Sequence, residues 1–208
     1  MTAAPERRVL LVGLWRDDGP LGQPQRFAHL PALARAHGLQ WVPEHHTQLD
    51  ADAWIRRPPA GIALSGSGHC LGEDCALGDF PAVLRLLAAL PRTPVCGLCF
   101  GHQLLNLLDG GELGRFGRYR EDDDFAVDLG EHPLFAGLPR PCPLAENHGQ
   151  RVARAGRGWA VIATSADGIE ATAHAHLPRV SFQFHPEYYP RQRVPHGERI
   201  LSAWLRSL

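Results

Sequence analysis

The stretch Pro94-Val95-Cys96-Gly97-Leu98-Cys99-Phe100-Gly101-His102-Gln103 passes from a short apolar run into a helical pattern, with Cys99 at the junction. Glycines stand two residues before and two residues after that cysteine. This is the G-x-C-x-G form of a nucleophile elbow, a sharp strand-to-helix turn that lifts one side chain out of a sheet. The glycines leave room for the turn, and helix N-terminal N–H groups favour thiolate over thiol and can receive a developing oxyanion. A cysteine nucleophile also needs a base, and the base needs an orienting group. His185-Pro186-Glu187, at the end of the apolar run Val180 to Phe184, offers both. One histidine among twelve carries little weight, and a lone G-x-C-x-G can be a packed strand. An elbow followed by a separate H-P-E at a strand end is far more specific. A third piece is the glycine-rich Ser65-Gly66-Ser67-Gly68, which follows the apolar run Gly61 to Leu64. Loops at carboxyl ends of strands hold ligands in open α/β sheets, although alone this loop reads as a tight connection.

Other reactive side chains rank lower. Cys96 and Cys99 are formally C-x-x-C, a redox spacing, yet Cys96 lies inside the apolar run and should point into the core. His69, Cys70 and Cys75 contain zinc-ligand types, but no second pair sits at finger spacing. His45-His46 and His174/His176 are metal candidates for which solvent exposure is the stronger reading. Arg118 and Arg120 beside the acidic run Glu121 to Asp124 read as solvated, and the run itself as a solvated turn. No metal and no cofactor is expected.

The elements that must position these residues follow from periodicity. Val9 to Leu14 is a nearly continuous apolar run, as in a buried parallel strand. A glycine- and proline-rich loop spans Asp17 to Pro24, and Phe27, Leu30, Leu33 and Ala34 then fall at helical spacing before His37-Gly38. Leu39 to Val42 is a second strand. Trp54-Ile55 belongs to a short element ended by Pro58-Pro59, and Gly61 to Leu64 is a third strand. Phe80 to Leu90 is helical, the elbow strand follows Pro94, and Leu104 to Leu108 continues the elbow helix to Gly110-Gly111. Alternating strands and helices predict a doubly wound α/β fold with an open, mostly parallel sheet flanked by helices. Phe125 to Leu129, Trp159 to Ala163, Ile169 to Ala173 and Val180 to Phe184 are later strands. Asp167-Gly168 is a hairpin turn, His132 to Leu138 a short turn or helical piece, and Arg193 to Leu208 a closing helix. No linker or repeat interrupts residues 1–208, so one domain is expected.

Composition narrows the function classes. The chain has 208 residues, 44% of them hydrophobic, and a formal net charge of −1, which gives no reason to expect nucleic-acid or membrane binding. All 21 basic residues are arginine, which excludes Schiff-base lysine chemistry and a Walker lysine. Five cysteines are too few for a disulfide scaffold, and no signal-like apolar segment opens the sequence. A reducing cytoplasm is the simplest setting.

These motifs, in this order, resemble the class I (triad-type) glutamine amidotransferases, with detail most similar to stand-alone GMP-synthase-like members. The carrying pieces are Leu64-Ser65-Gly66-Ser67, the elbow, and Phe182-Gln183-Phe184-His185-Pro186-Glu187. Glu146-Asn147-His148-Gly149-Gln150 and Ile169-Glu170-Ala171 also look like the γ-glutamyl hydrolase branch. The resemblance implies a flavodoxin-like, Rossmann-like fold and hydrolysis of the glutamine side-chain amide through a γ-glutamyl thioester. It implies that Cys99 attacks, His185 transfers protons and Glu187 orients His185. It also implies an oxyanion hole from backbone N–H groups of Gly66, Ser67 and Phe100, with Gln103, Asn147 and His148 against the substrate. The family loop often reads S-G-G-P, whereas Ser67 and Gly68 occupy the last two places here. The region of His148 lacks the H-x-D form common in GMP synthetases, which weakens GMP synthesis specifically. No synthetase domain follows, so any ammonia-using step is expected to belong to another chain, a separate ammonia-accepting synthetase, or there is none. A γ-glutamyl hydrolase acting on other γ-glutamyl amides, and a silent binding module on the same fold, are the alternatives.

Overall fold

The computed structural model describes residues 7–15 and 27–208. The expected loop from Asp17 to Pro24 and the first six residues lie outside them, as does the side chain of Arg118. The described strands form one open sheet in the order β2-β1-β3-β4-β9-β8-β7-β5-β6. Its parallel half joins β2 (Leu39–His45), β1 (Arg7–Gly13), β3 (Gly61–Leu64), β4 (Val95–Leu98) and β9 (Arg179–Phe182). β1, β3 and β4 are buried along almost their whole length, which is why they read as continuous apolar runs rather than as alternation. Helices α1 (Leu30–Arg35), α2 (Ala51–Arg56), α3 (Pro81–Ala89), α4 (Phe100–Leu108) and α5 (His196–Ser207) flank the sheet. Two apolar cores result. One lies around Leu11, Leu33, Phe182, Ile200 and Trp204, the other around Leu10, Leu64, Val83, Leu86 and Leu104. None of the described helices is long and apolar enough to cross a membrane.

Local signals account for most boundaries. Gly38, at φ +69°, ends the α1 segment where the His37-Gly38 stop is expected. Asp50 caps α2 by accepting from the Ala53 N–H at 2.9 Å. Pro81 opens α3, and Gly110 at φ +78° follows α4.

The second half of the sheet is antiparallel. β9 pairs with β8 (Gly168–His174), β8 with β7 (Trp159–Ser165), β7 with β5 (Glu112–Leu129), and β5 with β6 (Cys142–Arg154). Two readings change here. The acidic run Glu121 to Asp124 is not a turn: it lies within β5, with Glu121 opposite Asn147 and Asp122 opposite Glu146. Beyond that pairing a bulge between Asp122 and Phe125 absorbs the irregularity, the Asp124 N–H donates to Asp122 Oδ1 at 2.9 Å, and Arg191 reaches Asp123 at 3.0 Å. β6 itself, 13 residues long, lacks the apolar alternation that marks a strand, because its inward positions include Glu146, His148 and Gln150.

Candidate functional site

β3, β4 and β9 are neighbours in the sheet and parallel, so the residues after their carboxyl ends are juxtaposed although far apart in sequence. Leu64 stands beside Gly97 and Leu98 beside Phe182. The three motifs therefore meet at one sheet edge: Ser65–Gly68 after β3, Cys99 after β4, and His185-Pro186-Glu187 shortly after β9.

Cys99 caps α4 at φ +48°, ψ −96°, and is the only non-glycine residue with positive φ among those described. A backbone held there costs on the order of 1–3 kcal/mol and persists only when its surroundings over-determine it. They do. The Cys99 N–H donates to the Phe182 carbonyl at 2.7 Å, the Gln103 N–H to the Cys99 carbonyl at 3.1 Å, and the Gly101 N–H to the Ser65 carbonyl at 3.2 Å. The flanking glycines are steric requirements. A Cβ at Gly97 would come within 2.7 Å of the Gly101 backbone, and one at Gly101 within 2.6 Å of the Leu64 carbonyl oxygen. Phe100 is the first residue of α4, so its N–H has no intrahelical acceptor.

His185 is buried, and its Nδ1 lies 2.7 Å from Oε1 of the equally buried Glu187. Its ring stacks on Tyr188, with centroids 4.3 Å apart and an interplanar angle of 9°. The remaining nitrogen, Nε2, makes no hydrogen bond among the described residues. Burial alone would lower the imidazole pKa. The charge of Glu187, with Tyr188 and the Cys99 thiol, outweighs it and holds the group well above its ordinary value. Gly66 sits between the His185 ring and Cys99: a Cβ there would meet His185 Cε1 at 3.1 Å and Cys99 Cβ at 3.6 Å. Ser65 anchors this loop, its Oγ accepting from the Leu14 N–H at 2.9 Å. Cys96 is set apart by burial, which, with the nearby charge of Glu187, pushes its thiol well above the ordinary value.

Ser67, Gly68, Cys99, Gln103, Tyr119, Asn147 and His148 line a cavity of about 40 Å³. That is room for a few water molecules, in a cleft bounded by the elbow on one side and by an opposite wall on the other. This wall is the β5–β6 ribbon, where the Tyr119 hydroxyl donates to Asn147 Oδ1 at 2.7 Å. Gln103 and His148 reach the cavity, but Gln103 Nε2 and His148 Nδ1 are engaged by protein. Gln103 Nε2 donates to the Gln150 carbonyl at 2.7 Å and to Gln183 Oε1 at 3.2 Å. His148 Nδ1 lies 3.1 Å from the Gln150 carbonyl and Nε2 lies 2.7 Å from Glu146 Oε2.

Gln183 is not singled out by the sequence. Its Nε2 donates to Cys99 Sγ at 3.6 Å. The only signal is its place two positions before His185, and the apolar neighbours Phe182 and Phe184 mask it. The lower-ranked clusters have local partners. His69 pairs with Asp74 at 3.0 Å, the Cys75 thiol lies 3.7 Å from the Cys70 carbonyl, and His174 Nδ1 accepts from the N–H groups of His176 and Leu177. His45 bonds Thr47 and the Trp15 carbonyl, and Arg120 forms a two-point pair with Asp167 at 2.6 and 2.8 Å.

The family model for class-I glutamine amidotransferases matches residues 32–206. The chain belongs to that family. This amidotransferase is 38% identical over 150 residues to the glutamine-hydrolysing GMP synthase subunit of Pyrococcus abyssi, an alignment covering 71% of this chain and 75% of that one. The corresponding subunit of Pyrococcus furiosus is 36% identical, with the same coverage. Against the GMP synthase of Thermomicrobium roseum the identity is 35%, but the aligned part is only 26% of that longer protein. In three dimensions the amidotransferase matches a glutamine amidotransferase of Thermotoga maritima with a TM-score of 0.70 and 16% identity, covering 97% of both chains. That likeness establishes the shared fold.

Proposed function

We propose that the amidotransferase hydrolyses the side-chain amide of glutamine through a covalent thioester on Cys99 and passes the ammonia to a separate synthetase. The observation that carries this reading is the meeting of a strained cysteine elbow with a buried His185–Glu187 pair across Gly66. In this reading His185 takes the Cys99 proton, the raised imidazole pKa favouring an imidazolium beside a thiolate. The thiolate attacks the amide carbon, and the resulting oxyanion lies against the N–H groups of Phe100 and of the Gly66–Ser67 loop. Such a donor contributes on the order of 3–4 kcal/mol in hydrolases of this logic. The imidazolium then protonates the departing nitrogen, ammonia leaves, and the thioester remains. Water, deprotonated by His185, cleaves the thioester to glutamate and restores the thiol.

Glu187 holds the Nδ1–H tautomer and offsets the imidazolium charge. Gln183 donates to the sulfur and supports its anionic form. Gln103 acts mainly as a brace between Gln183 and β6, while Asn147 and His148 form the wall that meets the substrate. The acceptor is inferred from the Pyrococcus relatives, which are subunits of a glutamine-hydrolysing synthase.

The test is glutaminase activity of the purified chain, with and without a candidate synthetase, together with trapping by a glutamine-like electrophile. Mass spectrometry should place one adduct on Cys99 and none on Cys96, and Cys99→Ala should abolish both adduct and turnover. An active Cys99→Ala protein, or an adduct on another thiol, refutes the assignment.

A further inference from the structure

On the buried side of the cleft wall lies a polar cluster whose two carboxyls, Glu146 and Glu170, have no part in the hydrolysis. Glu146 and His148 project to the same buried side of β6, two residues apart, and Glu170 joins them from β8. One donor atom from each lies within 4.8 Å of the others. All three residues are buried, with exposures of 1%, 3% and 1%. Yet both oxygens of Glu146, Oε2 of Glu170 and Nε2 of His148 make no aligned hydrogen bond among the described residues. His148 Nε2 does approach Glu146 Oε2 to 2.7 Å. Burial raises the Glu146 carboxyl to about 8 and Glu170 well above its ordinary value, so the two are held towards their protonated, proton-sharing forms, and a cation entering among them would displace those protons.

The outward-facing atoms of the cluster, by contrast, are held. Oε1 of Glu170 accepts from Ser165 Oγ at 2.5 Å, and Nδ1 of His148 is 3.1 Å from the Gln150 carbonyl. A carbonyl can only accept, so Nδ1 carries the hydrogen and Nε2 presents a lone pair to the two carboxylates. A histidine fixed to a backbone carbonyl through one nitrogen, with the other free to coordinate, is the usual outer support of a metal ligand. The nearby Arg120 acts on Glu146 only through its charge, because its Nε and a terminal nitrogen both bond Asp167.

We propose that Glu146, His148 and Glu170 form a binding site for one divalent cation of the zinc class. Two carboxylate oxygens and one imidazole nitrogen are a donor set suited to a borderline cation and ill suited to calcium or magnesium, which prefer oxygen alone. Donors about 2.1 Å from a tetrahedral zinc stand roughly 3.4 Å apart. Here His148 Nε2 and Glu146 Oε2 stand 2.7 Å apart, and all three donor atoms lie within 4.8 Å of one another. Sequence spacing does not reveal the set, since the third ligand comes from a strand more than twenty residues downstream and neither half matches a ligand motif.

The test uses the full chain, freed of metal with a chelator. Zn²⁺ is titrated in competition with a chromogenic chelator, and Co²⁺ is followed by absorption. One equivalent should bind, and the cobalt spectrum should show four- or five-coordinate ligand-field bands without a thiolate-to-metal charge-transfer band. Glu146→Gln and Glu170→Gln should each weaken binding by at least about hundredfold while keeping the wild-type circular dichroism, because glutamine matches a protonated glutamate in shape. Zn²⁺ should raise the melting temperature of the wild type and of neither variant. Absence of stoichiometric binding by the wild type overturns the proposal whatever the variants do. So does binding that survives in both variants, or a charge-transfer band showing that cysteine holds the ion.

Discussion

Gly101→Ala is the most informative single perturbation of the elbow. The added methyl would lie 2.6 Å from the Leu64 carbonyl oxygen and 2.8 Å from Leu64 Cβ, against a carbon–carbon optimum of about 3.5–4.0 Å. Two of the contacts are backbone atoms of a fully buried strand, so no side chain can swing away. The first turn of α4 must therefore retreat from β3 by about 1 Å. Overpacking of this kind costs about 1–3 kcal/mol, or about 2–12 °C of melting temperature at this chain length. The same movement stretches the 3.2 Å bond from the Gly101 N–H to the Ser65 carbonyl and draws Phe100 away from the Gly66–Ser67 loop. A displacement near 1 Å in a catalytic array costs about a hundredfold in rate. Activity should thus fall further than stability explains, with kcat reduced at a temperature where the variant is fully folded. The assay is glutamine turnover at 20 °C beside a thermal melt. Gly78→Ala serves as control, since a Cβ there meets nothing within 4 Å. A Gly101→Ala protein with wild-type kcat and melting temperature refutes the packing argument and with it the proposed oxyanion hole.

Glu187→Gln keeps the shape of the orienting group and removes its charge. Burial then dominates at His185 and its pKa falls, so kcat/KM should drop by about 10²-fold or more, with a visibly altered pH–rate profile. Gln183→Leu removes the donor to Cys99 Sγ at 3.6 Å, and the rate of Cys99 alkylation by a glutamine-like electrophile at about pH 7.5 should fall; an unchanged rate rules out that contribution. His102 predicts acid sensitivity. It is fully buried with Nδ1 2.8 Å from Ser181 Oγ, and burial lowers its pKa to about 3. Between that value and the unfolded 6.5 the unfolded chain holds the extra proton, so stability is lost as pH falls. The loss is about 1.4 kcal/mol at pH 5.5. His102→Gln should shrink the difference in melting temperature between pH 7.5 and 5.5 relative to wild type.

Much of the parallel half was legible because its strands are buried on both faces and its functional residues stand at strand ends, where glycine and proline punctuate the chain. Gly61 to Leu64 runs into Ser65-Gly66, Val95 to Leu98 into Cys99, and Val180 to Phe184 into His185-Pro186. The antiparallel ribbon was less legible for the opposite reason. In β6 the inward positions 146, 148 and 150 are glutamate, histidine and glutamine, which inverts the pattern that identifies a strand. In β5 the charged run Glu121 to Asp124 mimics a turn, and only its pairing to β6 and the contact of Asp123 with Arg191 make it extended. Gln183 escaped because a single amide inside a phenylalanine-rich run carries no periodic signal.

The way the site is tied to the main chain has a practical consequence. The Cys99 N–H is bonded to the Phe182 carbonyl and the His185 N–H to the Ala145 carbonyl, each at 2.7 Å. These links belong to the backbone and persist whatever side chain occupies the two positions. Inactive substitutions at Cys99 and His185 therefore leave the clamp between β4, β6 and β9 closed. Such proteins are faithful casts of the unsubstituted chain, suited to capture with unreacted glutamine or with a candidate synthetase.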